Sequence, residues 1–212
     1  MSQRTQLINA IRGHLSEYGL IAPQGPSHVK RLIAQVEDST WSVPDATRSC
    51  LSILVEALRR LQDPFRELDA EISARAKSDE TAHRLMSVPV VGPLIATALE
   101  ALAPSAETFP SGRGFAAWIG LTPIQRSTGG KERLGRTSRM GERTLRRLLI
   151  IASSTVVRWA KRKGIPCGLW LDRMLARKQP MLVIVALANK TARIAWALMT
   201  KGGIYWAPTV HA

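Results

Sequence analysis

The chain has 212 residues, 45% of them hydrophobic, and a formal charge of +14. That length and hydrophobic share exclude a disordered chain and suit one or two packed domains. The excess of cations predicts a polyanionic partner, with nucleic acid ahead of membrane.

The charge is unevenly spread. Residues 1–80 hold ten Lys and Arg against eleven Asp and Glu, whereas residues 81–212 hold twenty against five. Affinity for a polyanion is therefore expected in the second part. Cys50, Cys167 and the histidines His14, His28, His83 and His211 have no zinc-ligand spacing. No signal-peptide pattern is visible. The most apolar run, residues 181–188, is too short to span a bilayer and reads as a core helix. No membrane partner is expected.

The first predicted helix covers residues 1–19. Leu7, Ile8, Ile11, Leu15 and Tyr18 fall at helical spacing, and Gly19 ends it. A Pro/Gly connector over residues 20–28 leads to a short helix at 29–36 and a turn at 38–44. Residues 45–77 form the next long helix. Leu51, Leu54, Leu58, Leu61, Phe65, Leu68 and Ile72 are spaced 3, 4, 3, 4, 3, 4, an a/d seam that predicts a coiled coil with another chain or with the first helix folded back. An ordinary amphipathic helix on a core is the alternative. Pro64 should kink this helix or restart it with Asp63 as N-cap.

After a polar break at residues 77–80, Leu85-Met-Ser-Val-Pro-Val-Val-Gly-Pro-Leu-Ile95 reads as helix, Pro-x-x-Gly turn, helix. This resembles a helix–hairpin–helix, in which amides at a helix start face one DNA phosphate. Val91 and Gly92 are the candidate contacts, and a purely structural hairpin is the alternative. Val90 stands where that motif usually has a further glycine. Residues 103–114 form a loop, and residues 114–120 a short buried helix or turn.

Residues 120–141 hold five glycines and a proline, so neither a regular helix nor a long strand is expected there. Ser127, Thr128 and Ser138 lie among Arg126, Lys131, Arg133, Arg136 and Arg139. A hydroxyl beside Gly129-Gly130 with guanidinium groups around it suits phosphate chemistry. Glycines let the backbone approach a phosphate, and arginines neutralise charge that develops on its oxygens. The residues alone leave three roles open: nucleophile, nucleic-acid backbone contact, or plain turn. A nucleotide P-loop is excluded, because Glu132 follows Lys131.

Residues 142–163 predict a helix whose buried stripe is Leu145, Leu148, Leu149, Ala152, Val156 and Trp159. Arg143 and Arg147 fall opposite the stripe and Arg146 on its flank. Cations at a helix start oppose the macrodipole, so phosphates are natural partners for them. Two more helices cover residues 167–177 and 181–201. Lys190 and Arg193 on the last either reach a nucleic-acid backbone or form a solvated face. Trp170, Trp196 and Trp206 are expected in the core. The acids after residue 80 (Glu100, Glu107, Glu132, Glu142 and Asp172) are too scattered for a two-metal centre.

Several of these blocks share one resemblance. The residue 85–95 hairpin, Phe115-Ala-Ala-Trp-Ile-Gly-Leu-Thr-Pro123, Arg126-Ser-Thr-Gly-Gly-Lys-Glu-Arg-Leu-Gly135, Ser138-Arg-Met-Gly141 with Leu145-Arg-Arg-Leu-Leu149, and Ala186-Leu-Ala-Asn-Lys-Thr-Ala-Arg-Ile-Ala-Trp-Ala-Leu198 look like the C-terminal transposase domain of the IS-110 (IS-116/IS-902) insertion-sequence family. They run in the family's order. Residues 3–19 resemble the segment that follows the family's catalytic domain, and residues 45–77 its coiled-coil linker.

The resemblance implies a two-part active site for DNA transposition. An N-terminal RuvC-like domain binds magnesium through four carboxylates, and a serine of the C-terminal domain attacks DNA to give a transient phosphoserine. That serine maps to Ser127, with Thr128 the runner-up. The resemblance also implies an oligomer and a guide RNA.

The expected architecture is therefore mainly α. A helical linker with a coiled-coil seam (1–80) precedes a compact helical domain (81–206) with a helix–hairpin–helix-like segment and a Gly-rich basic loop, then a tail (207–212). The RuvC-like domain is not in this sequence. The expectation is a cytoplasmic, nucleoid-associated bacterial protein that binds DNA and holds no cofactor or metal itself. Without that domain, and its magnesium, it would not recombine. The alternative is a non-catalytic nucleic-acid-binding and oligomerisation module. A ribosome-associated or RNA-chaperone protein fits the charge but not the ordered blocks.

Overall fold

The computed structural model describes residues 2–25, 28–38, 40, 42–125, 134–138, 140–163 and 169–206. Among them the chain is mainly α, with nine α-helices and one pair of short strands. It divides into two units, Met1–Ala70 and Glu71–Ala212.

In the first unit, α1 (Ser2–Glu17), α2 (Val29–Glu37) and the first half of α3 (Asp45–Ser78) share one core. Ile11 and Leu15 of α1 and Leu32 and Val36 of α2 pack with Leu51, Val55 and Leu58 of α3. The first half of the predicted seam is thus filled by the chain's own helices. The second half is not: Phe65 and Leu68 are 50% and 53% exposed. Of the two outcomes expected at Pro64, a kink or a restart, the restart at Asp63 does not occur: α3 runs through Pro64 as one helix. Proline removes one amide donor from the ladder, and the turns on either side carry the helix past it. Asp63 instead faces Arg66 at 3.6 Å.

The second unit is built around α9 (Pro180–Lys201), whose Ala188, Ala192 and Ala195 are fully buried. These small residues let neighbouring helices approach closely. α4 (Glu80–Leu85), α6 (Gly112–Trp118), α7 (Arg143–Lys163) and α8 (Leu169–Arg177) all pack on it, and α5 (Pro93–Leu102) packs on α4 and α7. α9 is also long and apolar enough to cross a membrane by length and composition alone. Asp79 caps α4 by accepting the Ala82 amide at 2.6 Å, and Ser111 caps α6 through the Gly114 amide at 3.3 Å. Phe109, Phe115 and Trp118 form an aromatic cluster beside α6, with Phe109 edge-on to Phe115 at 5.2 Å.

Two expectations need correction. The buried stripe of α7 is Leu145, Leu149, Ser153, Val157 and Ala160, and Trp159 is 51% exposed. From Ser153 onward the buried stripe runs one residue later than expected, with Ser153, Val157 and Ala160 in place of Ala152, Val156 and Trp159, and Trp159 follows exposed Thr155 by four residues. Trp206 is 84% exposed rather than in the core, because it lies beyond the end of α9 where nothing among the described residues covers it.

Candidate nucleic-acid interface

The Gly-rich stretch contains a β-hairpin stem. β1 (Pro123–Gln125) and β2 (Leu134–Thr137) pair antiparallel, with Pro123 opposite Thr137 and Gln125 opposite Leu134. The register shifts between those pairs. Gly135 and Arg136 together stand against Ile124, as in a β-bulge, which re-aims a side chain. The Ser138 amide continues the ladder to the Thr122 carbonyl at 2.9 Å. The sequence signal for this stem was Pro123-Ile-Gln and Leu134-Gly-Arg-Thr on either side of a glycine-rich middle, too short to stand out as strands.

The foot of the stem is fixed to the helical core. α6 ends at Gly120, whose φ is +81°, and the Leu121 amide returns to the Ala116 carbonyl at 2.9 Å, the bond pattern of a Schellman cap. A Cβ on Gly120 would collide with the Met140 carbonyl and the Arg146 guanidinium. Gly141, φ +103°, is pressed in the same way against the Trp118 carbonyl. The two backbone segments that enter and leave the stem therefore touch where only glycine fits. Arg146 ties them together by donating from Nη1 to the Ile119 carbonyl at 2.9 Å. From α9, Asn189 donates to the Leu121 carbonyl at 3.2 Å.

The predicted residues divide accordingly. Arg126, Ser127, Thr128, Gly129, Gly130, Lys131, Arg133 and Arg139 lie outside the described residues. Arg136 is exposed on β2. Arg143 and Arg147 are exposed on the first turns of α7, while Arg146 is half-buried and engaged with the backbone. Val91 is 5% exposed and its amide is spent on the Val88 carbonyl at 2.8 Å. Gly92 is the N-cap of α5, with Pro93 at its first turn.

Sequence reasoning missed one partner of the cationic helix start. Glu142, directly before α7, accepts the Thr144 amide at 2.7 Å. That bond, then the Thr144 hydroxyl, holds its carboxyl below the usual value. A carboxylate there offsets the arginines against the macrodipole.

A groove of about 1720 Å³ opens beside the stem. Thr137 and Arg136 of β2, Arg113 of α6, Arg146 of α7, Trp170 of α8 and Lys190 and Arg193 of α9 line it, with no carboxylate among its described lining residues. The Lys190 ammonium lies 4.3 Å from the centre of the Trp170 ring, and burial pulls its pKa down from 10.5. No sequence spacing signals this pairing, because α8 and α9 meet only in the folded chain. Among the described residues no three of His, Cys, Asp and Glu come together as metal ligands would.

These elements define a helical, basic, hairpin-bearing domain. The sequence pattern of the transposase IS116/IS110/IS902 family matches residues 82–164, from α4 through the stem to the end of α7. A Pseudomonas aeruginosa protein named as a family 20 transposase is 40% identical over 204 residues, covering 95% of this chain and 60% of the relative. A Sinorhizobium fredii protein named as a transposase is 39% identical over 203 residues, covering 95% of this chain and 52% of the relative. The transposase for insertion sequence element IS1111A of Coxiella burnetii is 35% identical over 207 residues, covering 97% and 57%. The chain belongs to the IS116/IS110/IS902 transposase family. It spans between about half and three fifths of the length of these relatives.

Proposed function

We propose that this chain is the DNA-binding, nucleophile-bearing part of an insertion-sequence transposase, with Ser127 as nucleophile and Thr128 as runner-up. The observation that carries this reading is the stem itself. Gly120, Gly141, Arg146 and Asn189 fix both ends of the segment that holds Ser127 to a packed core. Catalysis needs its reacting group held by a rigid scaffold, and a plain turn needs no such foot.

In the proposed reaction the Ser127 hydroxyl attacks a DNA phosphorus. The bond from phosphorus to the leaving strand's oxygen breaks, that oxygen takes a proton, and the phosphate stays a diester as phosphoserine. Attack by a second strand's hydroxyl reverses these steps and frees the serine. A serine needs a base to take its proton. The described groove offers arginines, one lysine and no carboxylate or histidine. Magnesium, implied by the family resemblance for a carboxylate-bearing domain, finds no ligand set among the described residues.

DNA and a guide RNA are the proposed partners, with Arg126, Lys131, Arg133, Arg136, Arg139, Arg143 and Arg147 as phosphate contacts. Gly129 and Gly130 allow close backbone approach, Arg146 steadies the foot, and the α5 start at Gly92 with Val91 behind it is a further backbone contact. Chains associate through the half of the α3 seam at Phe65 and Leu68, whose exposure supports this. The alternative, a non-catalytic binding and oligomerisation module, shares all of this except the serine.

The test mixes the chain with element DNA, guide RNA and a separately expressed RuvC-like domain. A covalent protein–DNA species on a denaturing gel that disappears with Ser127→Ala is the expected result. Strand transfer retained by Ser127→Ala sinks the serine assignment.

A further inference from the structure

We propose that the groove beside the stem is a track for single-stranded DNA, with Lys190 and Arg193 of α9 and Arg136 of β2 holding its phosphates. The track rests on the reading of Ser127 for its role, since a strand joined to that serine needs a path over the domain, but its residues are independent of that serine.

Four observations support it. First, size: about 1720 Å³ exceeds the roughly 300–1,000 Å³ that takes a small molecule, and suits a chain of several units. Second, charge: Arg113, Arg136, Lys190 and Arg193 line one groove and form no ion pair among the described residues. Unpaired cations facing each other repel, and a polyanion relieves that. Third, placement: Lys190 and Arg193 are three apart on one helix, so both present to the same side. The Trp170 ring holds the ammonium in place at the wall. Burial disfavours its charge there, a cost that an arriving phosphate offsets. Fourth, part of the wall is apolar: Met181 and Leu182 of α9 line the groove and are more than half exposed. Duplex DNA keeps its base faces stacked away and offers such a surface only backbone and base edges. A single strand can lay base faces on it.

The experiment measures binding of the purified chain to a labelled oligo(dC) of about 12 nucleotides, to its duplex, and to the RNA of the same sequence, over a range of salt. The double variant Lys190→Gln/Arg193→Gln is expected to bind the single strand at least tenfold more weakly. Its salt slope should fall by about 1.4, two phosphate contacts at roughly 0.7 each. Duplex affinity should change less than twofold. Trp170→Phe keeps a ring under Lys190 and retains binding, whereas Trp170→Leu weakens it, with circular dichroism melting confirming that each variant folds.

An unchanged slope overturns the track. Equal losses on duplex and single strand overturn its strand preference. RNA bound as tightly as DNA, with the same loss, overturns the DNA assignment, as does displacement of DNA by an acidic peptide that is itself sensitive to the double variant. Failure of the Ser127 reading looks different. Then the assembled enzyme forms no covalent species while the groove variants still lose single-strand binding. If a covalent species forms and the groove variants change nothing, the track falls and Ser127 stands.

Discussion

The two units end a helix in the same way and use that ending differently. α1 closes on Gly19 at φ +80° and α6 on Gly120 at φ +81°. In both, the next amide bonds back across the cap, Leu20 to Leu15 at 3.0 Å and Leu121 to Ala116 at 2.9 Å. Around Gly19 a Cβ would meet nothing, whereas at Gly120 it would strike the Met140 carbonyl and Arg146. The first glycine only turns the chain. The second also lets two backbone segments touch, and that contact is the foot of the hairpin stem. Charge follows the same division. Residues 1–70 carry eight cations and eight anions, and residues 71–212 carry twenty-two and eight. One unit is a neutral helical core, and the other presents cations around a fixed hairpin.

The largest expected effect lies in the second unit. Ser127→Ala should lower covalent adduct and strand transfer by about 10³-fold or more, as loss of a nucleophile does, while single-strand affinity stays within about twofold. Stability variants sharpen the comparison of the glycines. Gly120→Ala should cost about 3–4 kcal/mol, left-handed strain plus a backbone collision. Gly19→Ala should cost about 1 kcal/mol, strain alone. Urea unfolding of the two variants side by side measures the difference, and equal losses would break the comparison.

The two halves of α3 give the next contrast. Leu58→Ala should cost about 3 kcal/mol, since Leu58 is fully buried. Phe65→Ala with Leu68→Ala should cost under about 0.5 kcal/mol each within one chain, yet shift sedimentation toward smaller species. Arg146→Met, which removes the bond to the Ile119 carbonyl, should cost about 1–2 kcal/mol.

The smallest effect is a pH dependence. Burial depresses Lys190 below 10.5, and the other cations lining the groove from α6, β2, α7 and α9 are the arginines Arg113, Arg136, Arg146 and Arg193, which stay charged. Because the depressed pKa belongs to a cation, the folded chain bears a burial cost at neutral pH that eases as pH rises through the folded pKa. Binding runs the other way. Affinity for oligo(dC) should decline at a pH below the ordinary lysine value, and Lys190→Arg should flatten that decline.

Much of the helical order was legible because long amphipathic helices announce themselves. The seam of α3, the cap at Gly19, the Pro-x-x-Gly turn and α9 all rest on periodicity or on glycine and proline chemistry. The α7 stripe drifted because Ser153 is buried and Trp159 is not, an exchange no hydrophobicity pattern signals. The candidate serine was legible only through family resemblance, since a hydroxyl among glycines and arginines suits three roles equally.

By itself, then, the sequence determined the helical class, the concentration of positive charge after residue 80 and the phosphate-suited chemistry of residues 126–139. These depend on composition and on spacing within a few turns of chain. Tertiary structure decided which half of the α3 seam the chain fills for itself, why Gly120 and Gly141 must be glycine, and that Lys190 meets Trp170 beside the stem. Each of those depends on residues far apart in sequence reaching the same few ångströms, where one carbonyl or one ring face settles what a side chain can do.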